Sequence, residues 1–274
     1  MPEFGLNSWT TGDAVDAATD VRVAAAAGYR FLELRDWKIG QFLAQGGRLE
    51  ALGERARQSG VRFLSVNTLD DCTLHQGAKQ AALVERCRRL CAWARELGAP
   101  YVIVGPSYQP ERAIEAATVH ARTVDALRLY ADAAADHGVA IGFEFHGYSR
   151  CSINQASAAI AVLEDLDAAN VGLVIDAFHF YVGGSRFEDL ARLDSKRLFI
   201  VHLADVEHAE RSKLGKPNRV LPGEGVLPLQ ELVAAVKRLG YRGAYSLELF
   251  REEYWAMDPM IVARKGLASM QRFV

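Results

Sequence analysis

The chain has 274 residues, 50% hydrophobic and 24% charged, with a formal net charge of -2. That length suits one α/β barrel or two smaller domains, and the near-neutral balance gives no electrostatic basis for binding nucleic acid or an anionic membrane surface. No apolar run approaches the roughly 18 residues of a membrane span, and the N-terminus MPEFGLNSWT lacks the regions of a secretion signal, so a cytoplasmic location is expected.

Taken in order, the chain opens on a short apolar run, FGLN, and then repeats one unit. An Ala/Leu/Arg-rich helical pattern ends at a glycine, and an apolar run follows almost at once. The unit occurs as Ala24–Arg35, Ala56–Asn67, Ala94–Gly105, Ala133–His146 and Lys237–Phe250. Its glycines, Gly28, Gly60, Gly98, Gly138 and Gly240, suit a left-handed helix cap before the strand. The run GLVID, ending at Asp176, and Lys196–Leu203 bring the strand count to eight. In Lys79–Leu97, positions 83, 87, 90, 91, 94 and 97 form one apolar stripe at helical period.

Eight strands alternating with amphipathic helices predict a parallel sheet covered by helices, and closure into a (β/α)8 TIM barrel is the economical architecture. An open doubly wound sheet is the alternative. It has no support from phosphate-binding motifs, since GxGxxG does not follow the first strand and GxxxxGK[ST] is absent. No linker or low-complexity stretch interrupts the chain, so residues 1–274 read as a single domain. The longer loops Asn67–Gly77 and His202–Pro228 would lie on the catalytic face. Cys72, Cys87, Cys91 and Cys151 show neither CxxC nor zinc-finger spacing, and Cys87 and Cys91 fall on the apolar helix stripe as small core residues.

Polarity enters the apolar runs at their C-terminal ends, at Asn7, Arg35, Asn67, Glu144 with His146, Asp176, His202 and Glu248. Side-chain alternation fixes the faces. Phe143 and Phe145 point out to the helices, so Glu144 and His146 point into the barrel; Val201 and Leu203 leave His202 inside; Leu247 and Leu249 leave Ser246 and Glu248 inside. Strands five to eight therefore deliver Glu144, Asp176, His202 and Glu248 to the mouth where barrel enzymes keep their chemistry. Taken singly, a strand-end acid is more often a salt-bridge or loop-capping residue, and a lone histidine more often a hydrogen-bonded core group. Converging carboxylates would repel one another, and a divalent cation relieves that; three carboxylates and one imidazole match Mn, Co, Mg or Zn.

This set resembles the xylose-isomerase-like barrel superfamily. Within it, FEFHGYSRCSIN, NVGLVIDAFHFYVGGS, FIVHLADVE, NRVLPGEGVLPL and SLELFREEYW, with LELRDW and SVNTL more weakly, resemble the inosose isomerases (2-keto-myo-inositol isomerases) of inositol catabolism. The likeness keeps its order over nearly the whole chain. It implies Glu144, Asp176, His202 and Glu248 as ligands of one divalent metal ion, with Glu144 and Glu248 also the acid/base pair. It implies substrate contacts from His179, Arg251, Trp255, Arg35 and Asn67; His146 and Glu224 lie beside the same mouth. Glu224, in PGEG, departs from the neutral residue expected in inosose isomerases and matches epimerases of the superfamily. The implied activity is proton transfer through an enediolate on a small-molecule ketose or ketocyclitol, as an inosose isomerase, a ketose 3-epimerase or a hydroxypyruvate isomerase. An apurinic endonuclease fits less well, because Asn67 and Val104-Gly105 stand where further metal-binding histidines belong. A non-catalytic sugar-binding barrel stays open, as does a homo-oligomer.

Overall fold

In the computed structural model, which describes residues 2–111 and 113–274, helix gives way to strand at left-handed glycines. Gly28 (φ 97°) ends helix α1, Ala17–Ala27, and its N–H returns to the carbonyls of Ala24 and Ala25. Gly98 (φ 75°) does the same for α4, Gly77–Leu97. Gly60, Gly138 and Gly240 also have positive φ, so all five predicted turns are made as expected.

The strands are β1 Glu3–Asn7, β2 Phe31–Arg35, β3 Arg62–Leu69, β4 Tyr101–Val104, β5 Ala140–Glu144, β6 Val171–Asp176, β7 Leu198–Leu203 and β8 Ala244–Leu247. They are parallel and close in the order β1-β8-β7-β6-β5-β4-β3-β2. Between and around them run α2 Asp36–Ala44, α3 Leu49–Gln58, α5 Ala116–Ala135, α6 Ala156–Asp165, α7 Ala177–Val182, α8 Leu229–Arg238, α9 Glu252–Trp255 and α10 Pro259–Met270. The barrel is therefore the closed one. The predicted stripe of α4 is its buried face at Cys87, Leu90, Cys91, Ala94 and Leu97, while Leu83 is half-buried. All four cysteines are free and buried.

Two details differ from the linear reading. β3 continues past Asn67 to Leu69, so Asn67 lies within a strand and not at its end. The long segment after β7 is not a plain loop, because Asp205–Val206 and Arg219–Val220 pair antiparallel in a two-stranded ribbon. The buried carboxylate of Asp205 ties this segment down by accepting from the backbone N–H groups of Val206, Gly223 and Leu227 at 2.8–2.9 Å.

Apolar side chains pack in two places. The larger core lies between sheet and helices. The smaller one, Leu64, Ile103, Val174, Ile200 and Ala244 with Phe31, Tyr101 and Phe199 against it, plugs the lower half of the barrel. Burying each Leu, Ile or Val there contributes about 1.5–3 kcal/mol. Gly142 on β5 leaves room for the plug, since a Cβ would stand 2.8 Å from Ile103 and 3.0 Å from Val174. Above the plug the inward side chains turn polar.

Candidate metal centre

Glu144, Asp176, His202 and Glu248 each offer a ligand atom, and these atoms lie within 4.8 Å of one another. The strands bring them together by register: Asp176 pairs with His202 across β6 and β7, and His202 with Ser246 across β7 and β8. Nδ1 of His202 lies 2.9 Å from Glu144 Oε1, 3.6 Å from Glu248 Oε2 and 4.0 Å from Asp176 Oδ2. Glu248 accepts from Asn7 Nδ2 at 3.0 Å. Asp176 caps α7 by accepting the His179 backbone N–H at 2.7 Å. All four residues are buried. Oxygen donors with one imidazole suit a divalent ion such as Mn, Co, Mg or Zn.

Two groups missing from the sequence-based set complete the cluster. Arg219, from the ribbon after β7, is fully buried between the rings of Phe178 and Phe250, 4.5 and 4.9 Å from their centroids. Its Nη1 donates to Asp176 at 2.6 Å and Glu248 at 3.1 Å, and Nη2 lies 3.4 Å from His179 Nε2. Glu33 on β2 faces the other edge of the His202 ring, Oε1 at 2.9 Å from Nε2. Glu33 was open to the alternation rule, since Leu32 and Leu34 face outward. Arg219 carries no such signal, because it sits on an aperiodic segment.

The charges in this cluster set its protonation. Burial pushes the Glu248 carboxyl up, Glu144 and Asp176 add to the rise, and His202 and Arg219 only partly oppose it, leaving it at about 7. Glu144 is equally enclosed, but the charge of His202 and the hydrogen bonds of His146 and His202 overcome burial and hold it well below the usual carboxylate range. For His202 burial works downward, yet Glu33, Glu248 and Glu144 lift it well above an ordinary imidazole. His179 moves the opposite way, pushed down by burial and by the charges of His146 and Arg219.

The remaining candidates fall into three settings. His146 and His179 stand beside the centre with stacked rings 4.7 Å apart, and Gly147 N–H donates to His179 Nδ1 at 3.2 Å. Asn67 is enclosed lower down, where it accepts from Ser65 and lies 3.4 Å from Glu33. Arg35 is only 8% exposed, one inward step above Glu33, with its guanidinium 5.0 Å from the Trp9 centroid. Among the described residues it forms no ion pair, and its Nε is enclosed without an acceptor. Trp255 stacks on Trp9 at 5.9 Å and donates to the Trp9 carbonyl at 2.8 Å, so it belongs to the same wall. Arg251 and Glu224 lie at the rim. Arg251 joins two loops through Glu207 at 2.6 Å and Glu253 at 3.1 Å, and exposed Glu224 accepts from Tyr254 at 3.2 Å.

A closed parallel barrel with this inward set defines a class. The family described as xylose isomerase-like TIM barrel matches residues 21–273, and the chain belongs to it. It is 30% identical to the inosose isomerase of Bacillus licheniformis, covering 92% of this chain and 91% of that protein. With the inosose isomerase of Halalkalibacterium halodurans it shares 29% identity over 92% of this chain and 89% of the other. A crystal structure of IolI protein with a binding zinc atom superposes with a TM-score of 0.95 at 27% identity, covering 99% of this chain and 98% of that one. No helix among the described residues is long and apolar enough to cross a membrane.

Proposed function

We propose that the protein is a divalent-metal-dependent isomerase of the inosose isomerase type, which moves a proton between adjacent carbons of a ketocyclitol. The observation that carries this reading is the convergence of Glu144, Asp176, His202 and Glu248 within 4.8 Å at the mouth of the barrel. The inosose isomerase relatives and the zinc-containing IolI structure support it. When bound, a divalent ion supplies Lewis-acid polarisation of a carbonyl and its neighbouring hydroxyl, which acidifies the C–H between them.

This chain's residues provide the rest. Glu144 and Glu248 stand on β5 and on the end of β8, strands separated by β6 and β7, so they reach the substrate from different sides. One carboxylate takes the α-proton, and a proton returned to the former carbonyl carbon, with the hydroxyl proton passing to the former carbonyl oxygen, moves the carbonyl. A positioned base of this kind contributes about 10²–10⁴-fold. Arg219, fixed by Asp176 and Glu248, supplies buried positive charge beside the developing enediolate. Arg35 offers donors to the hydroxyls on the ring edge away from the three carboxylates and the imidazole, and the Trp9–Trp255 wall packs against the ring.

The test is turnover of inososes with Mn, Co, Mg or Zn in D2O, followed by NMR. Deuterium entering the carbon α to the carbonyl, or internal transfer of that proton with movement of the carbonyl, is expected. Carbonyl movement with neither would sink the enediolate scheme. Inversion of the α-centre without carbonyl movement would mark an epimerase, the activity class of the PGEG sequence around Glu224.

A further inference from the structure

We infer that Glu33 is a positioning residue for His202, a carboxylate whose bond to the imidazole Nε2–H turns Nδ1 toward Glu144, Asp176 and Glu248. The inference rests on the metal-dependent reading above. Glu33 is outside the group of four ligand candidates, and its side chain is wholly enclosed. A carboxylate so placed costs several kcal/mol unless it is paired. Its partners are His202 Nε2 at 2.9 Å, Ser65 Oγ at 2.7 Å and Asn67 Nδ2 at 3.4 Å.

The backbone is shaped around this acid. Along β2 and β3, Leu32 pairs with Phe63 but Glu33 pairs with Ser65, so the ladder skips Leu64. That bulge puts Leu64 into the apolar plug and brings the Ser65 hydroxyl to face Glu33. The contact to His202 also crosses the lumen, because β1 and β8 lie between β2 and β7. Neither feature is needed to close a barrel.

What Glu33 does follows from imidazole chemistry. A neutral ring has one N–H and one lone pair, and the partner of one nitrogen decides the role of the other. With Glu33 accepting at Nε2, that N–H is held in place, so a divalent ion displacing the proton on Nδ1 would meet a lone pair aimed at the three carboxylates. The same bond stops the ring from rotating about its bond to Cβ. Glu33 adds a fourth acid to Glu144, Asp176 and Glu248, two of which pair with the guanidinium of Arg219, and so strengthens the attraction for a dication. Carboxylate partners of metal-binding histidines generally change metal affinity by about 10–100-fold.

The test uses full-length Glu33→Ala and Glu33→Gln, checked for folding by circular dichroism. Zinc affinity is read by competition with a chromophoric chelator, and the His202 ring nitrogens by NMR of the zinc-loaded protein. Glu33→Ala is expected to bind zinc about 10–100-fold more weakly and to lose the downfield signature of a carboxylate-bonded Nε2–H. Glu33→Gln can still accept through its amide oxygen, so it should keep part of that signature while losing a smaller part of the affinity. A folded Glu33→Ala with wild-type zinc affinity and unchanged His202 signals would overturn the inference. If that variant does not fold, Glu33→Gln decides by affinity alone, unchanged affinity again overturning it. Wild-type protein that takes up no divalent ion would instead sink the metal reading and this inference with it.

Discussion

The molecule buries charge in two places, and the two are built differently. Under the first helices, Lys38 and Asp20 form an ion pair at 2.8 Å with neither side chain exposed. Lys38 spends its three donors on Asp20, Thr11 Oγ1 and the Ser8 carbonyl, so the cluster is balanced and closed. The centre at the barrel mouth is just as buried but is not balanced. It gathers Glu33, Glu144, Asp176 and Glu248 around His202 and Arg219, with His146 and His179 stacked beside them. Burial alone therefore does not mark a functional site; surplus acid gathered at the strand ends does.

The largest expected effect that separates the two clusters is on activity. Glu248→Gln should lower turnover by about 10²–10⁴-fold while leaving the thermal midpoint near wild type, read by steady-state kinetics and calorimetry. Full activity would remove Glu248 from the acid/base pair. Asp20→Ala should do the reverse, costing about 3–5 kcal/mol in urea unfolding because Lys38 is left buried and unpaired, with metal affinity of the folded protein unchanged. Replacing both partners, Asp20→Leu with Lys38→Met, should cost less than either single change. Equal or greater loss would show that the pair itself is strongly stabilising.

Removing the divalent ion is the intermediate case. An ion at a hundred times its Kd stabilises the folded state by about 2.7 kcal/mol, so chelation should lower the midpoint of wild type but not of His202→Ala. The last effect is in pH. Burial raises the Asp20 carboxyl to about 7, from an ordinary value of 3.8, against the pull of Lys38. A raised folded-state value favours the protonated form, so this contribution is full below about 3.8 and is lost as pH rises through about 7. The stability difference between wild type and Asp20→Asn should therefore shift against wild type across that window. A flat difference would show that Asp20 has the same proton affinity folded and unfolded.

Much of the barrel was legible because its signals are local and periodic. Glycine at five αβ turns and apolar runs with polar ends define eight strands and, through alternation, the inward faces of Glu144, His202 and Glu248. Glu33 obeyed the same rule but was masked by Arg35, the more conspicuous group at the end of that strand. Ser65 was not legible, since a bulge breaks the alternation that would place it. Asp20 was visible only as one acid on the stripe Ala17, Asp20, Val21, Ala24, and its partner Lys38 lies on another helix. Arg219 depends on a ribbon held by Asp205, a long-range arrangement that no periodicity records.

The apolar plug has a consequence for traffic. Leu64, Ile103, Val174, Ile200 and Ala244 close the barrel beneath the acids, so the mouth serves as both entrance and exit. On the proposed reading the ion sits deepest and the cyclitol rests above it against Arg35 and Trp9. Whatever enters last must then leave first: the ion is loaded before the substrate, and a seated substrate shields it from chelators.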